Sequence, residues 1–365
     1  MEIQIPSFVN RNPDIVMSEI KSQMEAMLGR QLQPAQLEQL ILQIIGYREI
    51  LLLERFNAGM AQLLYQFSHA PVLDYIAALV AVERLPASHA GCVIQFTLVP
   101  GHGNVVIPGG TRVATQDGII FATTEDLIIS ASDDVMDVVA TAQVAGKAAN
   151  GIEPGKISLI LDPLAFVSAA ANITVPGGGG DTETDESLRE RIKLAPTQYS
   201  TAGSRASYTF HAKSANPSII DVSVSSPIPG TVFIVPLLES GTYDQVIQDI
   251  YNTCSAETVR PLTDTVIVSE PSEINYTIEV DLIVYEGVDI TAAQTDVLRI
   301  LQEFSTQRSR RLGADIIKSH IIQACRIPQV YDVAVTEPMS NIIVDFDQVP
   351  ICTGIIVGVS GVNYG

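Results

Sequence analysis

A chain of 365 residues is too long for one simple core and calls for two to four domains. Its 21 basic and 41 acidic residues leave a net charge of −20, which makes nucleic acid a poor partner and excludes steering toward polyanions. Apolar residues are 47% and charged residues only 17%, so either the core is large or partner subunits cover much of the surface.

Cys92, Cys254, Cys325 and Cys352 are widely spread, with no CxxC or metal-like spacing, and read as small buried hydrophobes in a reducing cytosol. Met1-Glu2-Ile3 begins without the basic region of a signal peptide, and no run of 18 apolar residues occurs. A soluble chain made in the cytoplasm, without membrane insertion, is the expectation.

In chain order, residues 1–12 read as extended. The spacing predicts a helix from Asp14 to Leu28 that ends at Gly29. A longer helix starts near Pro34 and carries Leu37, Leu40, Ile41, Ile44, Ile45, Leu51, Leu52, Phe56, Met60, Leu63, Leu64 and Phe67 on a wide apolar face. Pro71 opens a third. Three helices with a broad apolar face imply a small bundle or a docking arm, with an ordinary helical cap on the next domain as the alternative. From Cys92 to Val175 the period falls to two, with short strands at 92–98, 118–123, 127–129 and 135–139, and Asp117-Gly118 marks a hairpin. This predicts a small antiparallel barrel or sandwich.

Residues 176–204 organise the remainder. Gly177 to Gly180 read as a hinge feeding a helix that Thr182 or Thr184 caps. Leu188 and Ile192 form its apolar stripe, Arg189, Glu190, Arg191 and Lys193 face water, and Ala195-Pro196 stops it. A second helix, capped by Thr201 or Ser204, buries Tyr208, Ala212 and Ala215. Strands at 219–225 and 231–238, a helix at 243–254 with Tyr251 inside, and a strand at 265–269 follow, an α+β order with a split-βαβ flavour. From Glu273 the pattern restarts: strand 274–285, helices 291–304 and 314–325, strands 330–335 and 342–346. Pro217, Asp221, Val222, Val224 and Pro227 match Pro328, Asp332, Val333, Val335 and Pro338 without a gap, which suggests a repeated helix-to-strand corner. The uncharged tail from Ile351 reads either as a last edge strand or as a segment donated to a neighbour.

Gly-Gly-Gly-Gly-Asp-Thr-Glu-Thr-Asp-Glu-Ser-Leu-Arg-Glu-Arg-Ile at 177–192, followed by Ser-Thr-Ala-Gly-Ser at 200–204, resembles the baseplate J-like family of contractile phage tails and related injection particles. Pro108-Gly109-Gly110-Thr111, Ser226-Pro227-Ile228-Pro229-Gly230 and Val259-Arg260-Pro261-Leu262-Thr263-Asp264 match in the order the family gives. The expected fold is α+β multidomain: a helical N-terminal arm or bundle (1–90), a β-rich barrel or sandwich domain (91–176), a central α+β domain (177–270) and a C-terminal α+β domain (271–365). The resemblance implies a wedge subunit of the inner baseplate ring, assembled in the bacterial cytoplasm and carried in the virion. It would rearrange on sheath contraction by rotation at the glycine hinge and near Glu270-Pro271-Ser272. Implied partners are a second copy within the wedge, a ring around a six-fold hub with its spike proteins, a second wedge protein gripping the helical arm, and the sheath-initiator protein. A receptor- or glycan-binding module is the alternative, against which stand the absence of Trp and an aromatic content of 6%.

No catalytic, cofactor-binding or metal residue is expected, and no enzyme. The glycine run lacks a P-loop lysine, and four acids directly after it would repel an anion. Asp181 to Asp185 imitates a calcium loop, but Glu186 and Ile192 occupy the positions that need glycine and a bidentate acid. His69, His89, His102, His211 and His320 show no ligand spacing, and only His102 lies in a glycine-rich loop.

Overall fold

The computed structural model describes residues 4–34, 36–200 and 203–363. Thr201, one of the two expected caps, lies outside the described residues. Two compact units emerge: the described part of Met1–Arg84 together with Thr184–Lys193, and Leu85–Glu183 together with the described part of Leu194–Gly365.

In the first unit, α1 (Pro13–Leu28) starts where the Asn12 side chain accepts the Asp14 N–H at 2.9 Å. It stops at Gly29, whose φ of +65° suits glycine. Its partner α2 (Leu37–Ala61) passes α1 at Gly46, where a Cβ would run into the Met17 sulfur. Near its end, buried Asn57 accepts the N–H groups of Phe8 and Val9 at 2.7 and 3.1 Å and donates to the carbonyls of Val9 and Leu53. That single amide ties the extended leader to the helix. A short α3 (Val72–Ala78) follows.

The next helix, α4 (Asp185–Leu194), is distant in sequence, yet Thr184–Lys193 belongs to this unit. Thr184 caps it, its hydroxyl accepting the Ser187 N–H, and Leu188 and Ile192 are buried as expected. Arg189 and Arg191 do not face water. Arg191 is buried and donates to the Glu83 carbonyl at 3.1 Å, and Arg189 donates to the Ser68 carbonyl at 2.8 Å. Carbonyls left over where turns end need donors, and a guanidinium supplies several. Arg84 completes the lock between Asp74 and Asp185, both at 2.7 Å.

The second unit opens with an all-antiparallel sheet. Its strands are β1 (Gly91–Leu98), β3 (Arg112–Ala114), β4 (Ile120–Thr123), β6 (Val135–Ala142), β7 (Leu159–Ile160) and β8 (Val167–Asn172), in the order β7-β3-β4-β6-β1-β8. A ribbon of β2 (Val105–Ile107) with β5 (Leu127–Ile129) accompanies it. The expected hairpin at Asp117-Gly118 joins β3 to β4, with Gly118 at φ +87°. Ile94, Phe96, Phe121, Val138 and Ile157 fill the interior of this nearly closed barrel. Buried Asn172 closes the seam: it accepts the Ile157 N–H at 2.9 Å and donates to the Glu153 and Thr174 carbonyls. Strands β2, β3, β7 and β8 add to those expected: Val105–Ile107 and Leu159–Ile160 are unbroken apolar runs, and Arg112–Ala114 and Val167–Asn172 carry no apolar-polar alternation, so no period of two marks them.

Next come α5 (Arg205–Lys213), capped by Ser204, then β9 (Ile219–Ser225), β10 (Thr231–Leu238), α6 (Asp244–Cys254) and β11 (Thr265–Val268). In their sheet, β10 is central, antiparallel to β9 and parallel to β11. Tyr251, expected inside, is exposed, because α6 buries Val246, Ile250 and Cys254 at spacings of four and Tyr251 falls one step beyond that stripe.

The last part places β12 (Ser272–Tyr285) between β13 (Val330–Glu337), antiparallel, and β14 (Gln348–Asn363), parallel, with α7 (Ile290–Ser309) and α8 (Lys318–Cys325) over one face. The tail is therefore an edge strand paired with its own chain over fourteen aligned positions. The strand expected at 342–346 is reduced to one bridge, Ile342 with Ile316, because the Asp315 carboxylate takes the Val344 N–H.

The glycine run is not a hinge. Gly177 to Gly180 are buried, and Gly177 and Gly180 bridge to Gly91 and Ser88. A Cβ on Gly179 would stand 2.6 Å from the Gly146 carbonyl, one on Gly180 would meet the Ser218 N–H, and one on Gly177 would meet Thr242. At Gly177, Gly179 and Gly180 glycine is there because neighbouring atoms touch the backbone, and at Gly178 because φ is +79°.

Candidate functional site

One candidate surface belongs to the helical unit. Along α2 the apolar residues occur all round the helix, but α1 covers only part of them, so Leu42 and Gly46 are buried while Leu37, Ile44, Ile45, Leu52 and Leu63 stay exposed. Leu52 is 66% exposed and Leu79, just past α3, is 84% exposed. Fully burying such a side chain yields about 1.5–3 kcal/mol. A partner covering half a dozen would offset the roughly 4–15 kcal/mol cost of association. Leu37, Ile44, Ile45, Leu52 and Leu63 belong to the apolar face that the helical period marks, whereas the positions α1 covers, Leu42 and Gly46, lie outside it.

The chemistry-bearing residues are engaged elsewhere. The space around Gly177 to Gly180 is filled by Thr242, Asn150 and Ser218, and leaves no phosphate cradle. Asp181 accepts the Lys147 N–H at 3.1 Å and lies 3.6 Å from its ammonium, Glu183 accepts the Leu85 N–H, and Asp185 pairs with Arg84. Each acid of the calcium-loop look-alike is thus taken by a cation or a backbone N–H. Among the described residues no group of three His, Cys, Asp or Glu could hold a metal ion. His102 is buried with its Nδ1 on the Gly103 carbonyl and its Nε2 3.7 Å from Asp134. His69 stands 3.3 Å from Asp185, and burial pushes the His211 pKa down. Burial pushes the Cys92 and Cys254 thiols up to about 12 and Cys325 to about 11, which keeps them protonated and inert. Among the described residues no helix is long and apolar enough to cross a membrane.

These features define a multidomain α+β protein, and the chain belongs to the Baseplate J-like family. The family's barrel domain matches residues 93–179, its central domain residues 200–270 and its C-terminal domain residues 276–358. The chain is 30% identical to baseplate protein J of Escherichia phage P2 over 190 residues, 51% of this chain and 63% of that protein, so the match spans less than two thirds of the relative. A solved structure of the anti-feeding prophage baseplate contains a chain that is similar over 92% of this one and 90% of its own length, at 13% identity and a TM-score of 0.39.

Proposed function

We propose that this chain is a non-catalytic structural subunit of a contractile-tail baseplate, acting as a wedge protein of the inner ring. Family membership supports the baseplate role, and the apolar face of α2 carries the reading, since a surface that costly to expose is best explained by a permanent partner. The proposed partners are a second copy within the wedge, ring neighbours around a six-fold hub with its spike proteins, a second wedge protein on the helical arm, and the sheath-initiator protein. The proposed place of action is the virion baseplate, after assembly in the host cytoplasm. Four functional regions are proposed along the chain: 1–90, 91–176, 177–270 and 271–365.

Rearrangement on sheath contraction belongs to the same proposal. The packed glycines make 177–180 a poor pivot, so the rotation is assigned to the linker near Glu270-Pro271-Ser272.

The test is light scattering after size exclusion, on the purified chain alone and with candidate wedge partners, comparing wild type with Ile45→Glu/Leu52→Glu. Both side chains are half or more exposed, so the fold should stand. A dimer or hetero-complex lost in the double variant is expected. A monomer that ignores every tail protein, in both forms, would overturn the reading.

A further inference from the structure

The β10 sheet and the β12 sheet are built alike. In each, a strand entering from a helix and a proline (Pro217 or Pro328) runs antiparallel to the central strand, and a third strand runs parallel to it. The ladder slips at the same point in both: Asp221 faces Leu237 and Ile219 faces Leu238, just as Asp332 faces Ile283 and Val330 faces Val284. Ile220 and Tyr331 are the skipped residues. Asp221 and Asp332 each accept the next residue's N–H at 2.9 Å through Oδ1. The chain order differs, since β10 follows its antiparallel neighbour and β12 precedes it, so the shared geometry is a property of the sheets.

Their outer faces differ. On the β10 sheet the outer positions are covered: Val235 is 2% exposed and Leu237 is buried. The free oxygen of Asp221 accepts the Leu312 N–H at 3.0 Å, and Arg310 of the same turn lies 3.6 Å from Glu239. A cationic turn, Arg308 to Leu312, is thus seated on the first corner. On the β12 sheet the equivalent positions are Asp281 and Ile283, Tyr331 is 53% exposed, and among the described residues nothing takes the free oxygen of Asp332. Beside it, Tyr285 and Tyr331 form an edge-to-face pair with centroids 5.5 Å apart. An exposed carboxylate next to two exposed aromatic rings suits a guanidinium, which can pair with one and stack on the others.

We propose that the outer face of the β12 sheet, at Asp332, Tyr331 and Tyr285, docks an arginine-bearing turn of another protein at the place where the Asp221 corner accepts the Leu312 N–H of the chain's own Arg308–Leu312 turn, with a guanidinium on Asp332 and the two rings. The proposal stands on this sheet and not on the α2 face, so either can fail alone.

The experiment titrates the full chain with a cyclic peptide of the Gln307–Gly313 sequence and follows backbone amides by NMR. Saturable shifts at Tyr331, Asp332 and Val333 are expected, weakening with added salt. Asp332→Asn keeps the Oδ1 acceptor and the shape but removes the charge, and should weaken binding roughly tenfold, the loss of one hydrogen bond to a charged group. Tyr331→Ala should weaken it as well. No saturable shift, shifts confined to other surfaces, or unchanged affinity in Asp332→Asn would each overturn the proposal.

Discussion

At the scale of single residues, Gly179 and Gly103 show how one residue type serves two opposite physical roles. Gly179→Ala must push a methyl against the Gly146 carbonyl and the Asn150 amide, and overpacking of that kind costs about 1–3 kcal/mol. Gly103→Ala meets nothing within 4 Å and should stay within about 0.5 kcal/mol of wild type. Urea denaturation of the two variants checks the contrast; equal midpoints would restore the hinge. Arg112 and Asp162 form a two-pronged pair, at 2.7 and 3.0 Å, and Asp162 also accepts the Arg112 N–H. These bonds hold the Asp162 carboxyl down at about 2. A depressed carboxyl favours the fold at pH above its unfolded value and loses that contribution as pH falls toward about 2. A carbon-detected NMR titration should find Asp162 ionised well below the ordinary aspartate range, and Arg112→Met should return it there. The thiols give a third check: in the native chain Cys92, Cys254 and Cys325 should resist a thiol reagent at pH 7.5, with half-buried Cys352 reacting first.

At the scale of elements, Asn57 sets the order of the N-terminal leader. Asn57→Ala would leave the Phe8 and Val9 N–H groups without their acceptor, at a cost of about 1–3 kcal/mol. Hydrogen exchange at those two amides should rise while α1 stays protected. The long strand β12 alternates buried and open positions along most of its length and α5 has a clear cap in Ser204, so local chemistry alone marks them in the sequence. The misread pieces have tertiary causes. Arg191 looks solvated on a helical wheel and is buried because the Glu83 carbonyl needs a donor. The 342–346 segment has strand composition, but the Asp315 side chain takes its backbone N–H. The repeated corner was visible as five matching residues; the common ladder slip that gives it meaning appeared only with the pairing.

At the scale of the whole molecule, the chain's acidity and its apolar helical face act on different steps. For the pairing proposed above, a net charge of −20 opposes the approach of two copies at long range, so a dimer seen by light scattering should strengthen as salt screens the repulsion. The sequence by itself determined the class: periodicity switching from 3.6 to 2 and back, with turn residues between, specifies helices, then a small antiparallel barrel or sandwich, then two α+β parts, because burial patterns are local and repeat along the chain. It also carried the family motifs. Only the tertiary structure decided that the glycine run is a contact, that α4 joins the helical unit, that the tail pairs with β12, and which apolar positions of α2 remain uncovered. Those questions concern which distant segments occupy the same space, and close packing answers them only once every neighbour is in place.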